Sequence, residues 1–327
     1  MLAFAIRRFG QSLFVLVVMS FLVFLGVYAI GNPIELLVNP QADAVERARA
    51  TTALGLDKPI LEQYATFLSR AATGDLGNSF VYNIPAIQLI LDKLPATLEL
   101  AFVAMVMAIL LGIPLGLVAG LRPHSMLGRG IMAGSILGFS LPTFWVGLVL
   151  IMIFSVHLGW LPPNGRGETV AVLGVPVSFL TADGLAHIAM PALNLALFKL
   201  SLLIRLTRAS TREAALQDYV KFARAKGLAP ARVVGVHILK NILIPIVTVI
   251  GLELGSVIAF AIITESIFAW PGTGKLLIDS INQLDRPVIV AYLLVIVTIF
   301  IFINFVVDLL YSVLDPRVRL GTVAAAH

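Results

Sequence analysis

Runs of apolar residues about as long as a bilayer is thick recur along the whole chain. They cover Phe9–Ile30, about Ala96–Leu121, about Gly130–Leu158, about His187–Thr207, about Ile242–Ile267 and about Val288–Val313. Roughly 20 apolar residues suffice for a helix to cross the hydrocarbon region. No water satisfies a peptide group there, so each run is expected to close its own hydrogen bonds as a helix. The expected fold is therefore all-α: a polytopic membrane protein with six transmembrane helices, an N-terminal anchor helix followed by a five-helix core. With 59% hydrophobic and 13% charged residues, the chain lies far from the composition of a soluble domain. The first run competes with a cleaved signal peptide, for which Val27-Tyr28-Ala29 resembles a cleavage site. Signal h-regions run only about 7–15 residues, so an uncleaved anchor is expected.

Cation placement sets the topology. Six spans leave both termini on one side, and that side holds 14 of the 23 Lys and Arg residues. Eight of those 14 lie between Arg205 and Lys240. Of the eight on the other side, five sit in one long loop, which the positive-inside rule weights little. Both termini are expected in the cytoplasm, the side that holds the larger share of cations. The net charge of +5 is then a topology signal, and no nucleic-acid partner is expected. The resulting division is 1–31 for the N-terminus and first helix, 32–95 for a large external loop, 96–313 for the core, and 314–327 for a cytoplasmic tail. Within the core, 208–241 forms a cytoplasmic segment.

That segment carries the most distinctive pattern. Leu216, Tyr219, Val220 and Ala223 fall at i, i+3, i+4 and i+7 and make one apolar stripe on a helix, with Lys221, Arg224 and Lys226 off it. Gly227 is placed to stop this helix, and Pro230 suits the first turn of the next. A helix–Gly–helix elbow of this kind is a shape a soluble partner can grip. The plainer reading is a solvated basic loop obeying the charge rule.

The run Asp218-Tyr219-Val220-Lys221-Phe222-Ala223-Arg224-Ala225-Lys226-Gly227-Leu228, followed by His237, Asn241 and Pro245, resembles the coupling loop of bacterial ABC importer permeases. It is most similar to the B-type subunits of the oligopeptide/dipeptide branch. Further matches lie along nearly the whole chain: the opening helix, Gln63-Tyr64, Gly74-Asp75-Leu76-Gly77, Ser140-Leu141-Pro142-Thr143-Phe144-Trp145, Trp160-Leu161-Pro162-Pro163-Asn164-Gly165, and Phe268 to Lys275. Two positions depart from the family pattern, Asn32 where Asp is usual and Ala229 where a Ser cap would stand. The resemblance implies that Asp218, Tyr219, Ala223, Arg224, Ala225, Lys226, Gly227 and Leu228 couple to an ATPase. It also implies the partners: a second homologous permease, two cytoplasmic ATPase subunits, an extracytoplasmic substrate-binding protein and a peptide substrate. Related permeases serve dipeptides, longer oligopeptides, glutathione, nickel complexes and haem.

Enzyme signatures do not occur in the sequence. Gly272-Thr273-Gly274-Lys275 lacks the leading Gly of a phosphate-binding loop. There is no His-Glu-x-x-His, no Gly-x-Ser-x-Gly and no Cys, and the five His residues do not pair at metal-ligand spacing. No catalytic residue, metal site or cofactor of this chain's own is expected, with ATP and Mg belonging to partner subunits.

Ionisable groups within the spans are the remaining candidates, because a charge in hydrocarbon needs a partner or water. Lys199 and Glu253 either line a translocation path or bridge adjacent helices. Ser140 and Asn194 either contact a passing substrate or join helices as polar glue. An ion-gradient transporter using Lys199, Glu253 and Asp308 as a relay is the alternative from another class, and it would be expected to show inverted repeats.

Overall fold

A computed structural model describes residues 2–29, 43–53 and 57–314. Its helices are α1 (Leu2–Ala29), α2 (Ala44–Ala53), α3 (Ile60–Ala72), α4 (Ala86–Leu121), α5 (Met126–Ser140) and α6 (Thr143–His157). They continue with α7 (Ala182–Ala215), α8 (Asp218–Ala225), α9 (Pro230–Ile267), α10 (Thr273–Asn282) and α11 (Arg286–Leu314). Among the described residues one antiparallel hairpin, β1 (Val170–Val172) with β2 (Val175–Val177), stands between the helices. Among the described residues, five helices are long and apolar enough to cross a membrane, six when α5 and α6 count as one span. The expected all-α polytopic fold is what the chain adopts. Asn32 and the tail from Asp315 lie outside the described residues.

Several boundaries differ from the hydropathy reading. α4 starts at Ala86 and not at Ala96. Gln88, Asp92 and Lys93 mask its first turns, yet Ala86, Leu89 and Ile90 recur at helical spacing and are buried. The third run is not one straight span. α5 and α6 meet at Leu141-Pro142 with a bend of 109°, since Pro142 has no amide hydrogen and clashes with the preceding turn. α7 runs from Ala182 to Ala215, longer at both ends than His187–Thr207. Its start is fixed by Thr181, whose hydroxyl accepts from the Gly184 amide at 2.9 Å. The elbow's second helix is continuous with span five, so Pro230–Ile267 is one helix with a π-helical stretch at Val233–Leu239.

The chain forms two compact units. One comprises 1–92 and 277–301. Within it α1 packs against α3 through Phe21, Phe24, Tyr64 and Phe67, with ring centroids 5.1–5.6 Å apart for Phe21–Tyr64, Phe24–Tyr64 and Phe24–Phe67. The Tyr64 hydroxyl lies 2.8 Å from Ser20 Oγ, so the Gln63-Tyr64 motif fastens α3 to α1. Ser79 Oγ and the Phe80 amide donate to the buried carboxylate of Asp285.

The second unit comprises 93–276 and 302–327. One close seam within it is the face of α4 bearing Gly112, Gly116 and Gly120, which lies on Leu203, Thr207 and Thr211 of α7. A Cβ added at Gly116 would stand 2.6 Å from Thr207 Cβ and 2.7 Å from the Ile204 carbonyl oxygen. Small residues at this spacing let the two backbones approach. Gly116→Leu is therefore expected to cost at least about 1–3 kcal/mol through overpacking and to lower the recovery of monodisperse protein in mild detergent. Gly130→Leu is the control, because a Cβ there meets nothing within 4 Å.

Candidate functional site

The basic segment folds as the elbow expected of it. α8 spans Asp218–Ala225, Gly227 adopts φ +74°, and Pro230 opens α9. The left-handed backbone at 227 costs glycine little and would strain any other residue. Ala229 stands at the N-cap without a side-chain hydrogen bond, as its methyl group requires. Val220 and Ala223 are buried, and α8 packs on the π-helical turn Val233–Leu239, where Val233 and Ile238 are also buried.

The other half of the apolar stripe is not buried. Leu216 is 73% exposed and Tyr219 41%, and Phe222, beside the stripe, is 61% exposed. Leu216 precedes the helix as the C-cap of α7, while Tyr219 and Phe222 form a row one position ahead of Val220 and Ala223, along the edge of the stripe. The outcome is a helix with two apolar faces, one docked on its own chain and one open. Lys226 Nζ lies 4.5 Å from the Phe222 ring centroid, and Lys221 Nζ donates to Asp218 Oδ1 at 2.9 Å. That hydrogen bond from Lys221, with its charge, holds the Asp218 carboxyl below the usual range. Behind the elbow, Ser210, Glu213, Gln217, Tyr219, Asn241 and Pro245 line a groove of about 330 Å³. Asn241 Nδ2 donates to the His237 carbonyl at 2.7 Å, closing the turn that forms one wall.

The intramembrane candidates divide. Lys199 on α7 and Glu253 on α9 meet as a salt bridge, with side chains 6% and 27% exposed. Ser256 Oγ completes the cluster, 2.7 Å from Lys199 Nζ and 2.8 Å from Glu253 Oε2. Asn194 is fully buried, and its Nδ2 donates to Thr264 Oγ1 at 3.0 Å, joining α7 to α9. Ser140 is exposed at the end of α5, where the span breaks. Lys199 and Glu253 come together; Asn194 joins helices in the interior, and Ser140 stands at the break.

One cluster went unread in the sequence. Glu99 on α4 is buried and accepts from Arg166 Nε at 2.9 Å and Nη2 at 2.5 Å. It also accepts from Ser178 N at 2.5 Å, Ser178 Oγ at 2.8 Å and Phe179 N at 3.0 Å. This one carboxylate pins both ends of the segment that carries the hairpin. The signal was present: Glu99 interrupts an apolar run, and Arg166 is the one cation between Arg129 and Lys199. Nearby, Phe268 to Lys275 is a packed cap. Phe268, Trp270 and Thr273 are buried, and Trp270 Nε1 donates to the Ala96 carbonyl at 2.8 Å. Glu265 Oε2 accepts from the Lys275 amide at 3.0 Å, and its carboxylate fills the space a Cβ at Gly272 would need.

Comparison with known proteins agrees with this arrangement. Residues 112–320 match the family described as "Binding-protein-dependent transport system inner membrane component", and residues 1–101 match its N-terminal companion. The chain is 40% identical to the Di/tripeptide transport system permease protein DppB of Pseudomonas aeruginosa, covering 98% of this chain and 99% of that protein. It is 37% identical to the Dipeptide transport system permease protein DppB of Escherichia coli, with the same coverage of both. Among solved structures, an inward-facing form of the MetNI methionine ABC transporter aligns at TM-score 0.54 and 18% identity, covering 70% of this chain and 97% of that one. That likeness is one of fold. With helices long and apolar enough to span a membrane and matches along its length, the chain belongs to the binding-protein-dependent transport system inner membrane component family, the multi-pass permeases of ABC importers.

Proposed function

We propose that this chain is the B-type permease of an ATP-driven importer of short peptides and forms half of a translocation path that works by alternating access. Peptide specificity is carried over from the two DppB relatives, which cover the full length of the chain. A second homologous permease supplies the other half, two cytoplasmic ATPases bind ATP and Mg, and an extracytoplasmic binding protein delivers the peptide. Both termini face the cytoplasm.

The observation that carries the reading is the two-faced helix α8. Val220 and Ala223 tie it to α9, while Leu216, Tyr219 and Phe222 stand open to a partner. Because α9 continues without interruption from the elbow to Ile267, a push on α8 is transmitted along a membrane-spanning helix. Such coupling needs an element that two partners bias together. Tyr219 to Leu228 acts here as a lever, with Asp218, Arg224, Ala225 and Lys226 completing the contacting surface.

The test is to tag this subunit at native expression, extract it in mild detergent and identify what copurifies by mass spectrometry. Two ATPase chains and a second permease are the expected result. A lone chain or homodimer active in proton-driven uptake without ATP would contradict the proposal.

A further inference from the structure

A row of alternating charges and rings crosses the second unit. Arg205 Cζ lies 4.4 Å from the centroid of the Phe139 ring, and Phe139 stacks on Phe198 at 4.8 Å with an interplanar angle of 28°. Lys199 Nζ then lies 5.2 Å from the Phe198 centroid and 5.9 Å from that of Phe260, and it is held by Glu253. These six side chains come from α5, α7 and α9. All three rings are exposed, and Glu253 is open enough for a ligand to reach.

Lipid is a poor explanation of this row. Hydrocarbon would disfavour each of the three charges, whereas a water-filled path tolerates them. Among the described residues no carboxylate neutralises Arg205, whose Nε donates to the Ser201 carbonyl at 3.3 Å. The broken span agrees with a path. Phe139 sits one residue before the end of α5, next to the 109° break, and non-helical backbone at membrane depth is tolerated where it is buried in protein or lines a cavity.

We infer that this row is a cargo subsite for a short zwitterionic peptide, with Glu253 taking the α-ammonium, Arg205 the terminal carboxylate, and the rings the groups between. The inference rests on the peptide-import reading and deepens it. Spacing sets the length. Lys199, which marks the Glu253 end, and Arg205 are six positions apart on one helix, about 9 Å at 1.5 Å per residue. An extended peptide spans about 3.3–3.6 Å per residue, so two to three residues fit. When cargo arrives, its ammonium competes with Lys199 for Glu253, and Lys199 keeps Ser256 and the two rings as partners. Binding would thereby loosen one tie between α7 and α9.

The experiment uses the complete importer with its binding protein in proteoliposomes, and compares uptake of a free tripeptide with that of its C-amidated and N-acetylated forms. Selection by the binding protein is common to wild type and variants, so it cancels in their ratio. Arg205→Gln is expected to reduce free-acid uptake about tenfold, the effect of losing a charge-assisted hydrogen bond, while uptake of the C-amidated peptide falls much less. The double exchange K199E/E253K keeps an ion pair and is expected to shift preference towards the N-acetylated peptide. An equal fall for all three peptides in both variants would overturn the subsite. So would loss of the second permease from the Arg205→Gln complex, which would make the row a subunit interface. If the wild-type importer moves none of the three peptides, the peptide-import reading falls and takes the subsite with it, an outcome seen before any variant is made.

Discussion

Glu99→Ala is expected to destabilise the second unit by about 3–5 kcal/mol, the range for removing one partner of a buried ion pair. Two consequences combine. Arg166, only 13% exposed at its side chain, is left without its carboxylate, and the Ser178 and Phe179 amides lose their acceptor. A buried donor without an acceptor costs about 1–3 kcal/mol. The segment between Arg166 and Ser178 should come loose from α4, so limited proteolysis should cut near the hairpin. Thermal unfolding of the detergent-solubilised protein checks the magnitude. Glu99→Ala/Arg166→Ala should cost less than the sum of its single changes, because the two residues share one interaction. An unchanged midpoint for Glu99→Ala would show that the cluster contributes nothing to stability.

The second large effect falls on the elbow, where its two faces should give different defects. Phe222 is open to solvent, so Phe222→Ala is expected to leave the fold intact. It should weaken association with the ATPases by about 2 kcal/mol, roughly 30-fold, as for an aromatic anchor at an interface centre. Val220→Asp instead places a charge in a fully buried site against Val233–Leu239 and is expected to detach α8 from α9. That change should uncouple the importer: ATP hydrolysis no longer responds to loaded binding protein even where residual ATPase contact survives. Pull-down and transport-coupled ATPase assays separate the two. Equal behaviour of both variants would contradict a helix with distinct inner and outer faces.

The spans and the elbow were legible because each depends on local sequence. Hydrophobic length fixes a membrane helix, and Gly227 with Pro230 fixes a turn through backbone preferences that no distant contact overrides. The Lys199–Glu253 pair was also readable, as two lone charges in neighbouring apolar runs that have to meet something. What escaped depends on tertiary partners. Leu216 and Tyr219 belong to the same stripe as Val220, and periodicity alone cannot say that one part of a stripe is kept for another surface. The start of α4 was hidden because Gln88, Asp92 and Lys93 lower its hydropathy without disturbing its helical spacing. Pro142 stands mid-span in the sequence, but a missing hydrogen bond does not set a bend angle; the packing of α5 and α6 on α7 does. The aromatic row needed three helices to be placed before Phe139, Phe198 and Phe260 became neighbours of the charged pair.

The most direct test of the central claim, that α8 is where the ATPase grips this permease, uses the chain's lack of cysteine. A single cysteine replacing Phe222, carrying a short photoactivatable crosslinker in the intact membrane, reports what touches that position. The account predicts one dominant adduct, to an ATPase subunit, formed from the cytoplasmic side and altered in yield when ATP is bound. Labelling of that cysteine by a membrane-impermeant reagent from outside the cell, or no adduct with any ATPase, would contradict it.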